Sequence, residues 1–430
     1  MDTFFDLGTA ELELRLSGCV NKDELQQYKD KSNITSVIAE KGSILPADCS
    51  ELFCGWKYLR SIDLSHADTS KVRNMSSMFS KCSNLEMLNV SGFDTSGVVE
   101  MYEMFSGCKS LVSLDVSGFD TSGVMEMDEM FSGCSSLVSL DVSGFDTSRV
   151  ERMCGMFNGC KSLTSLDVSG FSTANVYHMS CMFSGCESLT SLDVTGFDTS
   201  NAEFIDGMFS NCKSLVSMDL SNRDLSKAES MSSMFRGCES LTTFNLSGIN
   251  ASQVQDLDEM FMDCESLKEI CMSGFMISGA KSLYKMFAYC GSLEHIDLTG
   301  LDTSNTENMT NLFLKCHALH SVNMSRLDTS KVTSLSGLFY GCSSLTDVDL
   351  SGLDTSNVVD MSSMFYECKS LHKLDLSSFT VSDNTSTAHM FDFCNRLALW
   401  ISDKWSPTNV RMYLNCTPLV ITIVSEGASI

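Results

Sequence analysis

The chain has 430 residues, 43% of them hydrophobic, and a formal net charge of −26. That is longer than one globular core, and with only three prolines and no charge-block or Gly/Ser-rich linker a repeat array is expected over separate domains. The acidity excludes nucleic acid and anionic lipid as expected partners, since both are polyanions, and no apolar run is long enough to span a bilayer.

The opening MDTFFDLGTAELELRL has neither a basic n-region nor an apolar h-region, so it reads as a chain without an export signal. Within it AELELRL alternates like a strand, and NKDELQQYKDK, residues 21–31, suits a polar helix. Residues 1–46 are therefore expected to form an N-terminal flank and cap. From 47 onward one sentence repeats. Phenylalanine recurs every 26 residues from Phe79 to Phe391, a cysteine follows each three residues later, from Cys82 to Cys394, and a leucine three further on, from Leu85 to Leu397. An earlier copy has Phe53 and Leu59 but Trp56 in the cysteine position.

The consensus D-T-S-x-V-x-x-M-x-x-M-F-x-x-C-x-x-L-x-x-L-D-[VL]-S-G-F has the fixed period of a solenoid, in which each coil buries apolar columns against its neighbours. Leu111, Leu114 and Val116 end in period-2 spacing and predict a short strand with its apolar side inward. Val98, Met101, Met104, Phe105 and Cys108 are spaced by three and four and predict a short helical turn. S-G-F-D-T-S between them predicts a tight turn whose Asp, Thr and Ser are candidate helix N-caps. The expected fold is an α/β repeat: a right-handed leucine-rich-repeat solenoid of about 13–14 coils over residues 47–402, with a parallel concave sheet about 60 Å long and short helical segments on the convex side. After Leu397 the consensus fails. Trp400, Ile401 and Ser402 replace the usual strand, and Trp405 with LVITIV, residues 419–424, offers a closing strand, so 403–430 is read as a C-terminal cap.

The repeat resembles the BspA-like leucine-rich repeat family of bacterial surface and secreted proteins over residues 47 to 402. Residues 34–53, ITSVIAEKGSILPADCSELF, resemble the usual entry to such arrays, and LRLSGCVNKDELQQYKDK their N-terminal flank. The resemblance implies a non-enzymatic adhesion or binding module at the cell surface or secreted, with an extracellular protein, mucin or glycan as ligand. The opening without an export signal keeps a cytoplasmic location as the alternative.

The residue between the two inward apolar positions of each strand points out onto the concave face. That column holds Asp115, Asp141, Asp167, Asp193, Asp219, Asp297, Asp349 and Asp375, with Asn89, Asn245, Cys271 and Asn323 among them. Neighbouring carboxylates repel, so raised pKa values or a shared counter-ion are expected, and the stripe suits a divalent cation or a basic partner. The plainer reading is that each Asp accepts hydrogen bonds from nearby serines or turn amides. The flanking columns are mostly serine, such as Ser113, Ser139 and Ser117, but Met87, Glu269, His295, Asp347 and Lys373 vary the first of them and could specify a ligand.

The cysteine column sits among Phe, Met and Leu and reads as small buried hydrophobes, with coil-to-coil disulfides as the competing reading. Cys154, His178 and Cys181 form one irregular cluster with metal-ligating groups, and His317 and His320, three apart on a turn, read as solvated or half-buried. No nucleophile, base and orienting acid depart from the repeat together, so no enzyme and no cofactor is expected. A rigid spacer or surface-coat element, or an intracellular scaffold, is the alternative to a binding module.

Overall fold

The computed structural model describes residues 2–5, 12–31, 33–221, 223–395, 397–406, 409 and 420–424. It divides into two compact units, Met1–Met218 and Asp219–Ile430.

The first unit opens with β1 (Asp2–Phe5) antiparallel to β2 (Leu12–Leu16). From β2 the sheet continues in parallel through β3 (Ile34–Ala39), β4 (Ser61–Asp63) and β5 (Met87–Asn89). Between β2 and β3 lies the five-residue helix α1 (Lys22–Gln26), where the Asn21 side chain accepts the Glu24 amide at 3.1 Å and Asp23 and Glu24 oppose the positive end of the helix dipole. Leu25 is its buried contact. The second unit carries β6 (Thr243–Asn245) with β7 (Glu269–Cys271); β8 (His295–Asp297), β9 (Ser321–Asn323) and β10 (Asp347–Asp349); and β11 (Lys373–Leu376), β12 (Ala398–Ser402) and β13 (Val420–Val424). All pairs in this unit are parallel and join residues one coil apart.

The helical segments expected at V-x-x-M-x-x-M-F-x-x-C do not form: these residues make successive turns. In the coil of Phe105, the amides of Met104, Ser106 and Cys108 bond three residues back, to the carbonyls of Met101, Glu103 and Phe105. The amides between them reach the next coil instead, Glu103 to Asp128, Phe105 to Met130 and Gly107 to Ser132, at 2.8, 2.9 and 2.6 Å. Half the amides are thereby taken from any i to i−4 ladder. Two positions per coil, two before and two after each Phe, hold left-handed backbone: Glu103 (φ 54°) and Gly107 (φ 73°) in this coil, Glu259 (φ 57°) and Asp263 (φ 62°) in the second unit. A right-handed helix cannot pass through either. The spacing by three and four was the signature of a turn chain rather than of helix.

The expected continuous sheet also breaks up. Among the described residues, no strand lies between β5 and β6 on the face of the Leu-x-Val segment, where single bonds such as Val138 N–H to the Val112 carbonyl (3.2 Å) replace a ladder. Within each unit the inter-coil ladder runs instead on the Met-Phe side of the coil, with up to four bonds per interface, as from Met127, Glu129, Phe131 and Gly133 to the next coil. Nor are the Asp, Thr and Ser of the turn N-caps, for no helix follows. The Thr is buried between coils: the Thr95 hydroxyl donates to the Asp120 carbonyl at 2.9 Å and accepts that residue's amide at 2.7 Å. The Asp accepts the Ser amide two residues on, as Asp94 does from Ser96.

The core is built of columns. In the first unit Phe53, Phe79, Phe105, Phe131, Phe157, Phe183 and Phe209 stack in sequence with centroids 5.5 to 5.7 Å apart, the two limits set by Phe105–Phe131 and, among others, Phe53–Phe79. Phe235 to Phe391 form a second such stack in the other unit. The column cysteines are free thiols. Within each unit the Sγ–H donates to the Phe carbonyl of the preceding coil, as Cys108 does to Phe79 at 3.1 Å and Cys290 to Phe261 at 3.1 Å. That carbonyl also accepts the amide of its own coil's cysteine, Cys82 to Phe79 at 3.2 Å. Desolvation pushes the thiols up, to about 12 for Cys134, Cys212 and Cys316. Among the described residues no helix is long and apolar enough to cross a membrane.

Candidate functional site

The outward column of the strand face is where ligand-binding residues were expected. Asp115, Asp141, Asp167 and Asp193 lie on the first unit and Asp219, Asp297, Asp349 and Asp375 on the second, all exposed. Each turns one carboxylate oxygen back on its own chain. Asp115 Oδ1 accepts the Ser117 amide (3.1 Å) and hydroxyl (2.7 Å), Asp193 those of Thr195 (2.9 and 2.6 Å), and Asp349 those of Ser351 (3.0 and 2.7 Å). The amides of Ser143, Ser169, Ser221, Thr299 and Ser377 do the same for Asp141, Asp167, Asp219, Asp297 and Asp375. This is why serine or threonine follows the Asp by two residues throughout: the pair closes the strand into its turn.

At Asp115, Asp141, Asp167, Asp219 and Asp349 the pKa values expected to rise are instead held low. The Ser hydroxyl and amide stabilise the ionised forms of Asp115, Asp141, Asp167, Asp219 and Asp349, and repulsion from neighbouring aspartates is a lesser influence, as at Asp167 between Asp141 and Asp193. The strand pairing varies with the residues of this column. Within the units, Asp115/Asp141, Asp141/Asp167, Asp167/Asp193 and Asp349/Asp375 stand side by side on successive coils, and none of these coils pair as strands. Every internal strand pair beyond β3 has a neutral residue on at least one side: Asp63 with Asn89, Asn245 with Cys271, Asp297 with Asn323, Asn323 with Asp349 and Asp375 with Trp400. Like charges directly opposite one another disfavour pairing. Asn89/Asp115 and Cys271/Asp297 remain unpaired as well, so a neutral residue permits pairing without compelling it.

Replacing Asp141 and Asp167 together with Asn should therefore stabilise the chain, because Asn89 shows that Asn makes the same turn, accepting the Ser91 amide at 3.2 Å and hydroxyl at 2.8 Å. The denaturant midpoint should rise in the double variant, and added salt should raise the wild-type midpoint more than the variant's. Equal midpoints at low salt would remove repulsion as the reason for the open face.

On the second unit the face departs from the Ser/Asp pattern. A depression of about 810 Å³ lies across β7 to β10, lined by Glu269, Glu294, His295, Asp297, Asp347 and Asp349, with Lys268, Ser321, Asn323 and Ser325 at its sides. It brings together three of the predicted residues, His295, Asp297 and Asp349, with the variable Glu269 and Asp347. Asp375 and Lys373 lie on β11, outside its lining, as do Asp115, Asp141, Asp167, Asp193 and Asp219. Five carboxylates face one lysine, so the surface attracts cations and basic groups.

His295 Nδ1 lies 2.9 Å from Ser321 Oγ, and the His295 and His320 rings are 5.9 Å apart at 39°. This neighbour was not legible in the sequence, where His320 had been set beside His317. His317 instead donates from Nδ1 to the Gly341 carbonyl at 3.0 Å. The residues of the Cys154, His178 and Cys181 cluster are taken up by other partners: the Cys154 amide donates to Asp128 at 2.7 Å, Cys181 Sγ faces the Asp206 carbonyl at 3.7 Å, and His178 lies edge-on to Phe204 at 5.2 Å. Burial lowers the His178 pKa. Among the described residues, no three His, Cys, Asp or Glu groups are placed to hold an ion between them.

Comparison with known proteins gives one family, described as "Mycoplasma protein of unknown function, DUF285", which matches at residues 47–140, 126–243, 229–324 and 308–416. No curated protein matches. Among solved structures, a leucine-rich cell surface protein from Faecalibacterium prausnitzii A2-165 is 17% identical, with 81% of this chain and 94% of that one covered at a TM-score of 0.45. A TLR13–ssRNA13 complex is 15% identical, covering 95% and 61% at 0.24, and the circular leucine-rich-repeat protein CroV588 is 11% identical, covering 93% and 67% at 0.22.

Proposed function

Because the chain belongs to the family described as "Mycoplasma protein of unknown function, DUF285", whose description assigns no activity, we propose that it is a non-enzymatic recognition module binding an extracellular protein through its strand face. The observation that carries this reading is the acidic depression across β7 to β10, where the face leaves its repeated Ser/Asp pattern and gathers Glu269, Glu294, Asp297, Asp347 and Asp349. Residues that merely close the turn are alike from coil to coil. Those in the flanking column of this region, Glu269, His295 and Asp347, have no such duty, and their charge suits a partner presenting lysines and arginines. The resemblance to BspA-like surface and secreted proteins supports placing that partner outside the cell, as an adhesion ligand. Mucins and neutral glycans offer the depression less, for aromatic stacking surfaces are missing from its lining.

The test is binding of the purified chain to an array of matrix proteins, mucins and glycans, repeated with Glu294→Gln, Asp297→Asn and Asp347→Asn combined. Saturable binding to a basic protein is expected, weakened at least tenfold in the triple variant and by raised salt. Binding that ignores the substitutions would place the ligand elsewhere, and silence across the array would favour a rigid spacer.

A further inference from the structure

We propose that His295 and His320 form a two-ligand site for a borderline divalent transition ion, of which Zn2+ is the test case. The two side chains come from positions 25 apart, one inside β8 and one directly before β9, and the parallel pairing of these strands sets them next to each other. Their ring centroids are 5.9 Å apart. Two imidazoles bound to one ion through nitrogens at about 2.0–2.1 Å have centroids separated by about 5 Å at a tetrahedral bond angle and about 6.5 Å when opposed, so the observed spacing falls inside the range a shared ion requires.

His295 is also oriented for the task. Its Nδ1 meets Ser321 Oγ at 2.9 Å, and the neutral tautomer that donates Nδ1–H to this hydroxyl keeps the lone pair on Nε2. A histidine ligand held at its other nitrogen by a neighbouring polar group is the usual arrangement at metal sites. Both rings are exposed, so water can complete the coordination shell. Glu294 and Asp347, which line the same depression as His295, add a negative field that concentrates cations there. The site needs no macromolecular partner and stands whether or not the strand face binds one.

Imidazole ligation separates this site from the acidic column. A carboxylate stripe would take the hard ions Ca2+ and Mg2+, whereas a pair of imidazoles favours Zn2+, Ni2+ or Cu2+. The experiment is calorimetric titration of the purified, metal-free chain with Zn2+, alone and in excess Ca2+. It compares wild type with His295→Ser and His320→Thr, which place at each position a residue other coils already carry there, as at Ser113 and Thr164. A Cys19→Ser/Cys271→Ser variant removes the two thiols that are exposed among the described residues. One Zn2+ should bind, each His substitution should weaken it at least tenfold, and neither excess Ca2+ nor the thiol substitutions should change it. Failure to bind Zn2+, displacement by Ca2+, or binding that survives the His substitutions would overturn the proposal.

Discussion

Raised above about pH 9, the folded chain should lose stability steeply and unfold within about two pH units. The cause is the thiol column. In water a cysteine ionises near 9, whereas inside the stack Cys82, Cys134, Cys212 and Cys316 are pushed up to about 12 by burial, and Cys108, Cys160, Cys342 and Cys368 well above the ordinary value. Between the unfolded and folded values the native state holds protons that the unfolded state has released. The stabilisation is thus complete below pH 9 and falls as pH rises toward 12. Each such thiol costs about 1.4 kcal/mol per pH unit in that window, and several acting together exceed the margin of about 5–15 kcal/mol that typically holds a protein folded. A base titration of the Cys19→Ser/Cys271→Ser variant, which lacks those exposed thiols, followed by circular dichroism and by thiolate absorbance should show both signals changing together and cooperatively. Thiolate appearing while the fold persists would mean the thiols are accessible in the native state, and a chain still folded at pH 12 would contradict the mechanism. Cys134→Ala should shallow the alkaline slope by one proton while lowering neutral-pH stability by its lost packing.

The second large effect is expected at Phe157. Its ring is fully buried and stacks on Phe131 at 5.7 Å and Phe183 at 5.6 Å. Phe157→Ala removes both contacts and leaves a cavity that neighbouring rings cannot fill without leaving their own stacks, at a cost of about 3–5 kcal/mol. Phe157→Leu keeps most of the volume and should cost about 1–1.5 kcal/mol. In an array the loss falls on nearest-neighbour interfaces, so the unfolding transition should broaden or divide at the damaged coil instead of shifting as a whole. Denaturant unfolding followed by fluorescence and circular dichroism measures both features. A midpoint within error of wild type would show that the phenylalanine stack carries little of the stability.

Much of this architecture was legible because a solenoid writes its core as columns. The 26-residue recurrence of Phe, Cys and Leu located the stack, the buried thiols and the coil boundaries, since burial demands the same side chain at the same phase in every coil. The turn chain was misread as helix because both bury residues at three- and four-residue spacing. A signal was present: glycine recurs two residues after Phe, at Gly107, Gly133, Gly159 and Gly185, where φ is about 70°, and glycine is a poor choice inside a helix. The matching left-handed position two residues before Phe carries glycine in only some coils, at Gly155, Gly207 and Gly337, and Glu103, Glu129 or Cys181 in others, so its mark was weaker. The broken sheet was not legible: the Asp column was read as raising carboxylate pKa values, whereas the serine bonds hold those of Asp115, Asp141 and Asp167 low. Serine's contribution to the low carboxylate pKa values was the plainer of the two readings weighed. His295 beside His320 depends on how adjacent strands align laterally, which one coil's sequence does not contain.

The contacts between coils have a bearing on how such a chain can change its length. Phe79 stacks on Phe105 as Phe105 does on Phe131, and the Cys108 thiol reaches Phe79 as the Cys134 thiol reaches Phe105. Each coil therefore offers its successor the surface it received from its predecessor. Excising whole 26-residue units, or duplicating them, rejoins surfaces that already fit, whereas a length that is not a multiple of 26 sets Phe against polar columns and breaks the bonds across the seam. Unequal exchange between near-identical copies of the gene segment would then lengthen or shorten the protein in single-coil steps while leaving the fold intact, and the strand face would grow or shrink by the same increments.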